Sequence, residues 1–288
     1  MNYGLDSGGI HMKRRHFIVA SGFGAVAARA ANFQTAASNK PRWQPDGAGR
    51  LTTIGVLTPQ GDARPESEIK AMAPDGVAVH SSLVRWLHDP SRTDNFRRFL
   101  EPPHLDNAAE LLSSFAPSSV ILGFSSTSYI DGPSGDPRLV ARLEKATKGI
   151  PVILPNLAFA DALRFLHIRR ITIVHPPWFS EETNLMGRDY FQKVGFEVVS
   201  CMRIGPSRRL SELSPAEVYE WVVANVHSRA EAVVLSGNGA RTIGAINALE
   251  KRLKRPVLTA NQVPLWSALR RVGLASRVRN YGRVFTAS

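Results

Sequence analysis

Two stretches of this chain repeat one another, and the repeat limits the fold more than any other feature. Residues 143–168, LEKATKGIPVILPNLAFADALRFLHI, and residues 249–274, LEKRLKRPVLTANQVPLWSALRRVGL, share Leu-Glu-Lys, then Pro-Val-x-x-x-Asn, then Ala-Leu-Arg ahead of a short apolar end. Upstream, VILGFSS at 120–126 corresponds to VVLSGNG at 233–239. A duplication that takes in strand, loop, helix, strand and helix predicts two similar halves.

Short apolar runs at 51–57, 76–82, 118–123, 151–154, 170–175, 196–202, 231–236 and 256–259 alternate with amphipathic segments. Their hydrophobicity is continuous, as in strands covered on both faces, so the expectation is parallel sheet in an α/β fold. The clearest helix start is SPAEVYEWVVANVH, with Ser214 as N-cap, Pro215 at the first position and Glu217 closing a capping box. The first half is expected over 51–150, completed by the C-terminal segment 264–288, and the second over 151–263. Halves facing each other put their strand carboxyl ends around a common cleft, where ligands of such sheets bind.

The N-terminus reads as a separate segment. KRRHFIVASGFGAVAARAA, from Lys13 to Ala31, sets paired arginines before x-Phe-Ile and a weakly apolar Ala/Gly stretch, the pattern of a twin-arginine export signal. Residues 1–40 are expected to hold this signal and the start of a linker that continues through 41–50, with Met12 as an alternative start to Met1. The expectation is a periplasmic or secreted protein. No apolar run is long enough to span a bilayer, so stable membrane insertion after signal removal is not expected.

Charge and cysteine content narrow the function classes. The formal charge is +12, but residues 1–40 contribute five basic groups and one acidic group to it. The arginine pairs elsewhere lack the interleaved aromatics of a nucleic-acid platform, so a solvated basic surface is expected and no nucleic-acid partner, with attraction of small anionic substrates a mild benefit. Cys201 is the sole cysteine, which excludes an internal disulfide, and its strand-like setting FEVVSCMRI reads as structural.

Motifs for known cofactors are missing. The chain has no G-x-x-x-x-G-K-[ST], no H-E-x-x-H and no Cys/His cluster. Gly237 and Gly239 lack the third glycine of a dinucleotide fingerprint, and GFSST ends in Thr127 where a nucleophile elbow needs glycine. No cofactor or metal is predicted. What remains is two polar loops at strand ends, Ser125, Ser126 and Thr127 in one, Ser236, Gly237, Asn238 and Gly239 in the other. Hydroxyls and backbone N–H groups ahead of helices favour a carboxylate, although ordinary βα turns use the same residues.

On these residues the chain resembles the maleate isomerase and arylmalonate decarboxylase branch of the aspartate/glutamate racemase superfamily. The carriers are TIGVLTP at 53–59, GFSSTSY at 123–129, RRITIVHPP at 169–177, VVLSGNGARTIGAI at 233–246, RPVLTANQVPLWSALRRVG at 255–273 and YGRVF at 281–285. The resemblance implies two pseudo-symmetric, flavodoxin-like parallel-sheet halves with an interdomain site, and cofactor-independent chemistry by cysteines beside a carboxylate. It puts Ser125 and Ser126, the neighbours of Thr127, where the family binds a carboxylate, Gly237 and Asn238 at or beside the second cysteine, and Pro59 and Gln60 in the first strand's substrate loop.

The chain departs from that pattern, with Phe124 near the first cysteine position and Gly237 at the second. Neither side chain can transfer a proton or attack as a nucleophile. His175, ending RITIVH, then becomes the acid/base candidate beside Ser126, because an imidazole near pKa ~6.5 suits neutral proton transfer. Tyr129 offers a further hydroxyl. Asn156 and Asn261, equivalent in the repeat, are expected to cap helices, with ligand binding as the other use. Two functions follow: an isomerase or decarboxylase acting on a small mono- or dicarboxylic acid without cysteine, or a non-catalytic carboxylate-binding protein. The oligomeric state is left open.

Overall fold

The computed structural model describes Ala48 and residues 51–85, 93–205 and 213–287. The expected export signal and most of the linker lie outside the described residues. The chain runs β1 (Thr52–Pro59), α1 (Arg64–Met72), β2 (Val77–Val84), α2 (Thr93–Leu100), α3 (His104–Ser113), β3 (Ser119–Leu122), α4 (Thr127–Asp131), α5 (Asp136–Ala146) and β4 (Val152–Ile153). It continues with α6 (Pro155–Phe165), β5 (Arg170–His175), α7 (Glu181–Lys193), β6 (Glu197–Arg203), α8 (Pro215–Asn225), β7 (Ala232–Leu235), α9 (Ile246–Leu253), β8 (Val257–Thr259) and α10 (Gln262–Arg271). All eight expected strands are present. Ser214 caps α8, with its hydroxyl accepting from Glu217 N–H and the Glu217 carboxylate accepting in return.

Among the described residues the strands form two parallel four-stranded sheets, ordered β2-β1-β3-β4 and β6-β5-β7-β8. The registers match as the repeat requires. Ile54–Leu57 pair with Ser119–Leu122 in one sheet, and Ile171–Val174 with Ala232–Leu235 in the other, which makes Thr58 and His175 equivalent. One difference from the sequence reading concerns the boundary at 150/151. Val120 and Ile121 pair with Val152 and Ile153, so β4 closes the first sheet and the change of halves comes after it. Its residues repeat those of β8, and each supplies the last strand of its own sheet.

Helices α6 and α10 then cross over. Phe159 of α6 packs edge-on against Phe191 of α7, with ring centroids 6.0 Å apart, and Arg164 donates to the Val194 carbonyl at 3.1 Å. In return α10, which follows the second sheet, packs on α1, β3 and β4 as well as on α6. Ile54, Val56 and Ile121 of the first sheet and Ile171, Ile173 and Val234 of the second thereby share one core with α6 and α10. Alternate residues face outward onto separate cores. Leu57, Val120 and Leu122 meet α3, while Val233, Leu235 and Val257 meet α8 and α9. Successive side chains point to opposite faces of a strand, so burial of both faces is what made these runs continuously apolar. Among the described residues no helix is long and apolar enough to cross a membrane.

Truncating the crossover contact should destabilise the fold. Phe159→Ala removes a fully buried ring and is expected to cost about 3–5 kcal/mol in urea unfolding. A loss below about 1 kcal/mol would mean that α6 docks without this anchor.

Candidate active site

The loops that follow β3 and β7 meet. Ser125 and Asn238, which occupy the same place in the repeat, bond directly: Ser125 N–H donates to Asn238 Oδ1 at 2.7 Å, and Gly237 N–H donates to Ser125 Oγ at 3.2 Å. Asparagines behind the loops satisfy their carbonyls. Asn156 Nδ2 donates to Ser125 O at 3.0 Å, and Asn261 Nδ2 to Asn238 O at 2.9 Å. Neither asparagine caps its helix, contrary to expectation; α6 starts from Leu154, and Asn261 makes no side-chain cap bond. A buried loop carbonyl needs a donor more than a helix start needs an acceptor, because several helical N–H groups can use other partners.

Glu68 of α1 reaches across to the second half. Its carboxylate accepts from Thr242 N–H at 2.7 Å, Ile243 N–H at 3.2 Å and Asn261 Nδ2 at 2.8 Å. Burial pushes its pKa up, opposed by these donors. Arg64 and Arg241, one from each half, line a groove of about 400 Å³ with it.

The structure gathers Ser125, Ser126, Thr127, Tyr129, Gly237 and Asn238 into one buried cluster. Their free capacity differs. Thr127 Oγ1 donates to Phe124 O at 2.8 Å. The Asn238 amide is spent as a clamp, since Nδ2 donates to Ala260 O at 3.0 Å and Asn261 Oδ1 at 2.8 Å while Oδ1 serves Ser125, so only its backbone remains for a ligand. Ser126 Oγ, by contrast, has no partner among the described residues although the residue is 1% exposed. The N–H groups of Ser126, Thr127, Asn238 and Gly239 make no backbone hydrogen bond among the turn and loop contacts. Pro59 and Gln60 end β1 beside the first loop, where Gly123 N–H donates to Leu57 O at 2.8 Å; Pro59 is buried and Gln60 exposed.

His175 ends β5. It is fully buried, and both ring nitrogens are engaged: Nδ1 with Asn184 Oδ1 at 2.9 Å and Nε2 with the Tyr129 hydroxyl at 3.1 Å. The Tyr129 hydroxyl also bonds Ser236 Oγ at 2.8 Å. Phe179 stacks on the imidazole at 5.2 Å. Burial pushes the His175 pKa down to about 4 and the Tyr129 pKa up. The expectation of an ordinary imidazole facing the cleft is thus corrected, because the strand end that was read as open is covered by α4 and α7. Cys201, on half-buried β6, lies behind the same ring and donates its thiol to Asn184 O at 3.3 Å; burial pushes it up to about 12.

Sequence reasoning missed Glu68, Asn184 and the role of Ser236. None carries a motif: Glu68 and Ser236 act through contacts far away in the chain, and Asn184 turns its amide to His175 nine residues before it. Gly187 did leave a signal, as a glycine in mid-helix marks a close approach. A Cβ there would lie 2.5 Å from His175 Cε1 and 3.0 Å from Tyr129 Cζ. Among the described residues no group of three or more His, Cys, Asp or Glu side chains could hold a metal ion.

Known proteins are similar to this chain in sequence and fold. A family model described as arylmalonate decarboxylase matches residues 97–285. The arylmalonate decarboxylase of Bordetella bronchiseptica is 23% identical over 241 residues, spanning 82% of this chain and 97% of that protein. The maleate isomerase of Alcaligenes faecalis is 25% identical over 255 residues, spanning 81% and 96%. Among solved structures, the maleate isomerase of Pseudomonas putida S16 with maleate superposes with a TM-score of 0.74 at 21% identity, covering 82% of this chain and 98% of that one. A liganded double mutant of arylmalonate decarboxylase gives 0.72 at 21%, covering 82% and 100%.

Two measurements check the buried histidine. Its pKa is lower folded than unfolded, so its contribution is complete above pH ~6.5 and is lost as pH falls through about 4, up to about 3 kcal/mol. The difference in unfolding free energy between the parent and His175→Gln should therefore shrink from pH 7 to pH 4, and a constant difference would contradict a buried neutral ring. Gly187→Ala should cost about 1–3 kcal/mol by overpacking, whereas Gly244→Ala, whose new Cβ meets Pro215 at 3.4 Å, should be tolerated.

Proposed function

The chain belongs to the arylmalonate decarboxylase family, and from that premise we propose that it is a cofactor-independent isomerase or decarboxylase acting on a small mono- or dicarboxylic acid, with proton transfer that does not use cysteine. The observation that carries this reading is Ser126 Oγ, buried without a partner among the described residues in a loop tied to its counterpart. A carboxylate accepting from that hydroxyl and from the N–H groups of Ser126, Asn238 and Gly239 would supply the missing partner. Such donors stabilise charge developing on the carboxylate in an enediolate-like state by about 3–4 kcal/mol each. The non-cysteine mechanism is supported by the place of Cys201, which bonds Asn184 behind His175 rather than either loop. The proton then travels by a water held against the ligand. Export to the periplasm or beyond is supported by Arg14-Arg15 followed by Phe17-Ile18.

A second reading, carboxylate capture without turnover, is favoured by one feature. Gly237 has φ +95, and a Cβ there would lie 2.8 Å from Pro176, so the second loop has no room for a reactive side chain at this position.

Maleate and phenylmalonate are the first acids to assay. Turnover of either is expected to fall about 100-fold in Ser126→Ala, on the scale of one lost oxyanion donor. Binding alone should raise Tm, by an amount equivalent to about 2.7 kcal/mol at a hundredfold excess over Kd. A Tm shift without product selects the second reading, and neither shift nor product sinks both.

A further inference from the structure

We propose that His175 is a positioning residue for the second loop, acting through Tyr129. The hydrogen-bonding chain has one direction. Asn184 Nδ2 faces the Glu181 carboxylate at 3.4 Å, so Oδ1 is the atom turned to His175 Nδ1, and Nδ1 carries the ring proton. Nε2 is then a bare acceptor, and the Tyr129 hydroxyl donates to it. With its single proton spent, Tyr129 Oη accepts from Ser236 O–H at 2.8 Å. Ser236 immediately precedes Gly237, whose N–H meets Ser125 Oγ. A tyrosine of the first half is thus pinned between the ends of β5 and β7 in the second, at the root of the loop that meets Ser125.

Packing and symmetry both single out this device. Phe179 covers one face of the imidazole, and Gly187 lets α7 approach both rings. The Cys201 thiol lies against Asn184 as well, 3.3 Å from its O and 3.4 Å from its Oδ1. The repeat does not duplicate the arrangement: Thr58 stands at the place of His175, and Thr242, in the place of Tyr129, bonds Glu68 instead. The Tyr129 link steadies the root of the second loop, which offers the Asn238 and Gly239 N–H groups to the ligand, and a misplacement of ~1 Å there costs up to ~100-fold in rate.

The kinetic arm rests on the function proposed above. With maleate or phenylmalonate, whichever is turned over, Tyr129→Phe is expected to lower kcat about 10- to 100-fold with KM within about threefold. His175→Asn, which can reach Asn184 but not Tyr129, should match it. His175→Gln, which puts an amide oxygen near the Nε2 position, should recover to within about fivefold. The double variant Tyr129→Phe/His175→Asn should be no slower than either single variant, because both break one chain. Equal losses in the Gln and Asn variants, or multiplying losses in the double variant, overturn the proposal. If the parent turns over neither acid, the proposed function fails, and the positioning role is decided by hydrogen exchange. Tyr129→Phe should then speed exchange of the Gly237 amide at least about tenfold relative to amides of β7, and unchanged exchange overturns it.

Discussion

The pair of hydrogen bonds between Ser125 and the Gly237–Asn238 segment is the constraint on which the site depends. Each loop ends a strand in a different sheet, and each would leave polar backbone buried if it stood alone. Their meeting satisfies an N–H on each side, Ser125 N on Asn238 and Gly237 N on Ser125. Asn156 and Asn261 supply donors to the remaining carbonyls. A buried polar cluster in low dielectric is stabilising only when nearly complete, and the Ser126 hydroxyl is one of the buried side-chain oxygens here without a partner among the described residues.

The crossover of α6 and α10 makes that meeting possible. Each helix leaves its own sheet to cover the other half, so the two sheets share a core. Rigid placement of two loops then follows from apolar packing, whose free energy grows with the area buried, and leaves the hydrogen bonds to set direction and register. Glu68 and Tyr129 add polar contacts across the same boundary, one from each end of the first half's share of the site.

His175 illustrates how burial changes the use of a residue. A histidine at a strand carboxyl end is an acid/base group when solvent or substrate reaches it. Enclosed by Tyr129, Phe179, Gly187 and Asn184, it is a neutral hinge for hydrogen bonds, and its lowered basicity is the cost of removing a charge from water. Burial likewise pushes the Cys201 thiol up.

The strand runs, the Ser214 capping box and the repeat were legible in the sequence because they are local: they depend on periodicity, on caps and on similarity at a fixed spacing. The sequence by itself determined two parallel α/β halves and the two polar loops, Ser125–Thr127 and Ser236–Gly239. The partner of each loop atom was decided only by tertiary structure. Asn238 as a clamp, Asn156 and Asn261 as loop donors, Glu68 as a bridge and His175 as a buried partner of Tyr129 all depend on contacts between residues far apart in the chain. A residue type states what a side chain can donate or accept; the packing of two sheets and two exchanged helices decides which partner comes within about 3 Å.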